Sequence, residues 1–373
     1  MQPTSKFNTL ATGLAMFSMF FGAGNVVFPL ALGQIAQDKN FFAILGMLIT
    51  AVGVPFAGLL AMTLYNGDYK RFFGRIGKVP GFFLAAGIMG LIGPFGAMPR
   101  CIALSFSTAK MFLGNVSLPM FSIVACLLIW VFTFRRTNIV STLGYVLTPL
   151  LLGSLGVIII CGFVDSPAAP LSTHENFDIF LKGLKDGYQT MDLLGAFFFS
   201  SVIIASLKKN IEPNAPNYSK RLMISALQAT AIGAGLLALV YVGFSYIASF
   251  HGSALKNISS DELISVIAVH VLGPKAAMVA CIAVSLACLT TAIALAVVFA
   301  EFVQKEISGN KINYSSALIG TLVVTFFVST LNFTGIAAFL LPILQVCYPG
   351  LIVLCLVNIA YKLKGYGRAK ELH

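Results

Sequence analysis

Residues able to do chemistry are sparse in this sequence and fall in four places. The first is Gly22-Ala23-Gly24-Asn25, followed by Pro29, inside an otherwise apolar run from Phe7 to Gln37. Gly costs about 1 kcal/mol in a helix interior and Pro about 3, so a helix through this run is expected to break here. The second is Asp186 to Asp192, where Gly187, Tyr188, Gln189, Thr190 and Met191 lead into the charge-free stretch Leu193 to Leu207. Broken helices expose N–H groups that hold an anion and carbonyls that hold an ammonium group or a cation. The third is Arg100, and the fourth is the pair Thr290-Thr291 in the apolar run Ala276 to Ala300. Threonines in apolar helices ordinarily bond their own i−4 carbonyls. Covalent catalysis has no equipment here. Asp192 is the one deep acid, and His174, His251, His270 and His373 fall in loops or at ends. The seven cysteines show no CxxC or Cys/His metal spacing and read as small buried hydrophobes. There is no GxxxxGK[ST] loop for a nucleotide.

The elements that must carry these residues are membrane helices. Of 373 residues, 58% are hydrophobic and 10% charged, with a mean hydropathy of +0.92. Soluble domains carry roughly a quarter charged residues, so a water-soluble fold is excluded. Crossing the bilayer takes about 20 apolar residues. Phe7–Gln37, Asn40–Gly67, Val79–Pro99, Met111–Phe134 and Thr137–Val164 each suit one span. Phe177–Leu207, Leu222–Phe250 and Ala276–Ala300 supply three more. The run Ile312–Tyr361 divides at Asn332-Phe333-Thr334-Gly335 into two, which makes ten. The first run continues past its small residues through Phe28-Pro29-Leu30, which suits a span better than a cleaved leader.

Charge sets the expected orientation. Seventeen basic residues, among them Lys70, Arg71, Arg75, Lys78, Arg135, Arg136, Lys220 and Arg221, fall on the side that holds both termini. The other side has six, together with Asp165, Glu175, Asp178, Asp261 and Glu262. The positive-inside rule then makes both termini cytoplasmic. The net charge of +11 reads as topology and attraction to anionic lipid rather than as a nucleic-acid surface.

The two interruptions occupy matching places, the first span of each set of five. Five is odd, so the halves lie in the membrane with opposite orientation. Interrupted spans at matched positions of two halves point to a secondary transporter site. Broken backbone is tolerated at that depth where it is buried in protein or lines a watery cavity. An enzyme is not expected; a channel fits two dispersed broken helices less well than alternating access does. A sensor that binds without transporting stays open on these grounds.

Four stretches resemble a known family, the bacterial branched-chain amino acid carriers (LIVCS, BrnQ-type) of the amino acid/polyamine/organocation superfamily. They are Phe20-Phe21-Gly22-Ala23-Gly24-Asn25 with Phe28-Pro29, Gly93-Pro94-Phe95 with Pro99-Arg100, Gly187 to Asp192, and Leu286 to Ala292. The resemblance implies an all-α LeuT-type 5+5 inverted repeat with spans one and six unwound in mid-membrane. Repeat one would cover about 7–164, repeat two about 177–361, and a basic tail 362–373. It implies import of leucine, isoleucine and valine, with no cofactor beyond a coupling Na⁺ and no obligate protein partner, at the bacterial cytoplasmic membrane. Carried over on the matching residues, Gly22, Ala23 and Gly24 would offer amides to the carboxylate, with Asn25 as a polar bracket. Tyr188, Gln189, Thr190 and Met191 would supply carbonyls and part of the pocket, and Phe95 an apolar wall. Ser18, Phe21, Ala287, Thr290 and Thr291 would cage Na⁺ with neutral oxygens, which suit a hard cation. Asp192 and Arg100 are expected to act in coupling or gating, as a pair. The alternative coupling ion is a proton carried by Asp192, and methionine is a further candidate substrate. Family members usually carry two helices after the tenth span, and the ten-helix core is expected to suffice for transport.

Overall fold

The computed structural model describes residues 4–134, 139–164, 166–209 and 218–370. Arg135, Arg136 and Asp165 of the charge reading, and the last three residues of the tail, lie outside them. All regular structure in the described residues is helical. The first span is α1 (Thr4–Phe20) and α2 (Ala23–Ala36), parted at Phe21-Gly22. The second is α3 (Asn40–Leu48) and α4 (Val54–Leu64), joined by one π-helical turn. A short α5 (Tyr69–Phe73), capped by the Asp68 side chain on Arg71 N, leads to the third span. That span is α6 (Lys78–Ile92) and α7 (Ala97–Leu113), bent at Gly93 to Gly96. The fourth and fifth are α8 (Leu118–Phe134) and α9 (Ile139–Val164). The sixth is α10 (Asn176–Tyr188) and α11 (Asp192–Lys209), parted at residues 189–191, where Met191 takes φ 64°. Then follow α12 (Tyr218–Phe250), α13 (Leu263–Phe302), α14 (Tyr314–Ser329) and α15 (Asn332–Lys370). Within α13, Gly273 at φ 76° separates a short leading helix that bears His270 from the long span.

Both interruptions stand where Gly and polar residues predict them. Span three differs from expectation: it runs through Arg100 to Leu113, so Met111 belongs to it, and span four begins at Leu118. A buried charge had marked a false end, because charge-free length detects only helices whose polar groups have no partners inside the protein.

Close helix packing seats span six against spans two and one. A Cβ on Gly183 of α10 would sit 2.1 Å from the Ala43 carbonyl of α3, and one on Gly46 would sit 2.3 Å from the Phe180 carbonyl. Only glycine allows these backbones to touch, the small-residue contact by which membrane helices gain van der Waals packing. Gly24 does the same at the breaks: its missing Cβ would meet Gln189 O and Thr190 Cα at 3.1 Å.

Candidate functional site

The start of α2 is built by its own third residue. Asn25 turns its Oδ1 back to accept Gly22 N at 3.0 Å, satisfying one orphan N–H of the broken helix. Its Nδ2 donates to both oxygens of Asp192, each at 2.9 Å, and to the Tyr241 hydroxyl. Tyr241, on α12, donates in turn to Asp192 Oδ2 at 2.8 Å. Asn25, Asp192 and Tyr241 are 1%, 3% and 0% exposed. One carboxamide therefore ties the first break to the second, and every donor aimed at Asp192 suits a carboxylate that only accepts. Asp192 is the first residue of α11, where the helix dipole also favours negative charge.

Arg100, 2% exposed, lies on α7 across from this cluster. Its Nη1 donates to the Gln189 carbonyl at 2.8 Å and to Met191 Sδ at 3.6 Å, and its Nη2 to Gln189 Oε1 at 2.6 Å. Gln189 Nε2 continues the chain to the Ala337 carbonyl on α15 at 3.2 Å. The guanidinium carbon is 5.4 Å from the Phe28 ring centre and 5.7 Å from that of Phe333, two rings themselves 5.9 Å apart. Arg100 Nε is buried with no partner.

These residues line a partly open cavity. Its polar wall is Gly22, Ala23, Gly24, Asn25, Thr190, Asp192 and Arg100, with Met191 and Thr291 beside them. Its apolar wall includes Met19 and Phe20 before the first break and Gly195 and Phe199 after the second. The cavity thus extends from both breaks toward the side of the termini, while Phe28 and Phe333 pack beyond them.

Several expected residues sit elsewhere. Arg100 and Asp192 form no ion pair with each other; each takes neutral partners instead. Phe95, expected as an apolar wall, is 46% exposed, stands outside the cavity lining, and packs toward Gly90 in the bend of span three. Ile92, Ala97 and Cys101 form that wall, because the bend turns Phe95 outward. Tyr188 packs at a tilt against Tyr348, ring centres 4.6 Å apart and outside the lining, and Gln189 commits its side chain to Arg100 and Ala337. The hydroxyls of Thr290 and Thr291 both donate to the Ala287 carbonyl, at 2.8 and 3.0 Å, which leaves their oxygen lone pairs free to accept a cation. Of the two, Thr291 reaches the cavity, with its methyl 3.8 Å from the Cβ position of Gly22. Ser18 and Phe21 lie at the end of α1 and in the break. Tyr241 was not singled out from the sequence; a phenol in mid-span of the run Leu222 to Phe250 was the available signal.

Comparison with known proteins agrees with this architecture. The family model described as "Branched-chain amino acid transport protein" matches residues 5–368. The branched-chain amino acid permease BrnQ of Bacillus subtilis is 29% identical over 90% of this chain and 77% of its own length. The permease BraB of the same organism is 28% identical, over 95% and 80%. Among solved structures, Mhp1, a nucleobase-cation-symport-1 family transporter in a closed conformation with bromovinylhydantoin bound, superposes with a TM-score of 0.59. It shares 17% identity over 92% of this chain and 78% of that one. MhsT in complex with L-phenylalanine gives 0.55 at 16% identity, over 87% and 79%. Both show the LeuT-type fold. With a family model spanning nearly its whole length and that fold, the chain belongs to the branched-chain amino acid transport protein family and is a polytopic membrane transporter, not an enzyme.

Proposed function

We propose that this transporter imports leucine, isoleucine and valine by Na⁺ symport through alternating access. The observation that carries the reading is the cavity itself, which lies between the two broken helices and is lined by both. Ala23 and Gly24 begin α2 and line the cavity, and the first turn of a helix favours an anion. The mainly apolar remainder of the wall, with Met19, Phe20, Ile92, Phe199 and Leu295, suits an aliphatic side chain. One methylene in such a pocket is discriminated by about 1–3 kcal/mol, so methionine is a reasonable minor substrate.

Thr290 and Thr291, with the carbonyls of Ser18, Phe21 and Ala287, are the proposed Na⁺ cage. Its support is that Thr291 of α13 lies beside Gly22 at the first break, so an ion there joins α13 to the helix that holds substrate. Neutral oxygens bind a monovalent ion without holding it too firmly to release. With the termini placed in the cytoplasm of a bacterial cell by the basic loops, the cavity is the inward-facing one. The contact of Phe28 with Phe333 is then the closed outer side. A second reading, proton coupling, is favoured by one observation: Asp192 is a buried acid that lines the cavity.

Isoleucine uptake into proteoliposomes, with Na⁺ and pH gradients imposed separately, decides between them. Uptake that follows Na⁺ and is lost in Thr291→Ala supports the symporter as drawn. Uptake driven by protons alone moves the coupling to Asp192, and bound isoleucine with no flux under either gradient makes the protein a sensor.

A further inference from the structure

Arg100 and Asp192 are the charged side chains among the residues that line the cavity, and neither has a counter-ion among the described residues. Arg100 contacts a carbonyl, an amide oxygen, a thioether and two aromatic rings. Asp192 contacts a carboxamide and a phenol. Removing an ion from water costs several kcal/mol even after relaxation, and neutral hydrogen bonds return only part of it. Two opposite charges on one cavity, each held by neutral groups, suit a ligand that carries both signs. Each also keeps binding capacity. Arg100 Nε–H has no acceptor. Asp192 Oδ1 accepts from Asn25 and Oδ2 from Asn25 and Tyr241, and a carboxylate has about four lone-pair sites.

We propose that Arg100 binds the carboxylate and Asp192 the ammonium group of the transported α-amino acid, so that the zwitterion completes a charge pair the protein leaves open. This rests on the amino acid reading above and adds to it the two residues that recognise the backbone of the substrate. Arg100 approaches the carboxylate from α7 while the Gly24 amide approaches from α2. Asp192 is held toward the ammonium group by Asn25 and Tyr241. Gln189 orients Arg100 from the same unwound segment that ends in Asp192, so substrate, span three and span six close as one unit. Compounds lacking either charge are then poor ligands however well their side chains fit.

The test is binding to the purified full-length protein of leucine, leucinol (no carboxylate) and isocaproate (no ammonium group). Arg100→Gln is expected to weaken leucine about 30-fold or more, the loss of a charge-assisted hydrogen bond, yet to change leucinol less than about threefold because leucinol never used Arg100. Asp192→Asn is expected to weaken leucine similarly and to leave isocaproate unchanged or tighter. Arg100→Lys, which keeps the charge but loses the planar fork, should fall between wild type and Arg100→Gln. Equal losses for leucine and leucinol in Arg100→Gln, or no loss, overturn the assignment of Arg100. Equal losses for leucine and isocaproate in Asp192→Asn overturn that of Asp192. Should either variant fail to fold, the wild-type series still decides: leucinol and isocaproate binding as tightly as leucine refutes both roles. If the wild type binds another apolar α-amino acid in place of leucine, the branched-chain reading fails. The charge roles are then judged on that amino acid's own alcohol and deaminated acid.

Discussion

Replacing Asn25 by Leu keeps the branching and approximate volume of the side chain while deleting its polar atoms. The variant loses the acceptor for Gly22 N, the donor to both Asp192 oxygens and the contact with Tyr241. A hydrogen bond to a charged group contributes about 1.5–3 kcal/mol, and loss of a helix-start cap costs about 1 kcal/mol. With volume conserved, the packing term is small. The expected destabilisation is therefore about 3 kcal/mol, concentrated where the two breaks meet. Equilibrium unfolding in mixed micelles measures it, and leucine binding on the same sample reports whether the first-turn amides keep their place. Asn25→Leu combined with Tyr241→Phe should depart from additivity by at least about 0.5 kcal/mol, because both side chains donate to one carboxylate. A loss below about 1 kcal/mol in the single variant, or strict additivity in the double, would refute the reasoning that Asn25 fastens span one to span six.

Tyr241→Phe alone removes the 2.8 Å donor to Asp192 at unchanged packing, and leucine affinity should fall about tenfold; an unchanged dissociation constant shows that Tyr241 does not position the acid. Gly183→Val forces a side chain into the Ala43 carbonyl and should destabilise the protein by about 1–3 kcal/mol. Gly87→Ala, where a Cβ meets nothing within 4 Å, should be neutral or stabilising by up to about 1 kcal/mol; thermal melts of the two variants check the pair. Phe333→Ala opens the ring contact over Arg100. With Cys101 as the sole cysteine, a membrane-impermeant maleimide added opposite the termini should label it faster than in the parent protein. Equal rates would mean that Phe28 alone closes that side.

The fold was legible because its determinants are local. Apolar runs of bilayer length, the loop charges, and Gly, Asn and Asp at two mid-span positions all act on adjacent residues. They specified ten spans and the interruptions at Gly22 and near Gln189. Partner choice is different in kind. Asn25 meets Asp192 across 167 residues and Tyr241 across 216, while Arg100 meets Gln189 across 89. Nothing in the neighbourhood of Arg100 indicates that it binds an unwound carbonyl rather than Asp192, or that span three continues beyond it. Phe95 stands outside the cavity lining for the same reason: its distance from Arg100 along the chain is short, but the bend at Gly93 to Gly96 turns it away. The sequence by itself determined which segments cross the membrane and where their helices fail, since helix propensity and transfer free energy belong to each stretch of chain. Only the tertiary structure decided which buried polar groups satisfy one another, and that two opposite charges face one cavity unpaired, since those outcomes depend on helix packing that brings distant residues into contact.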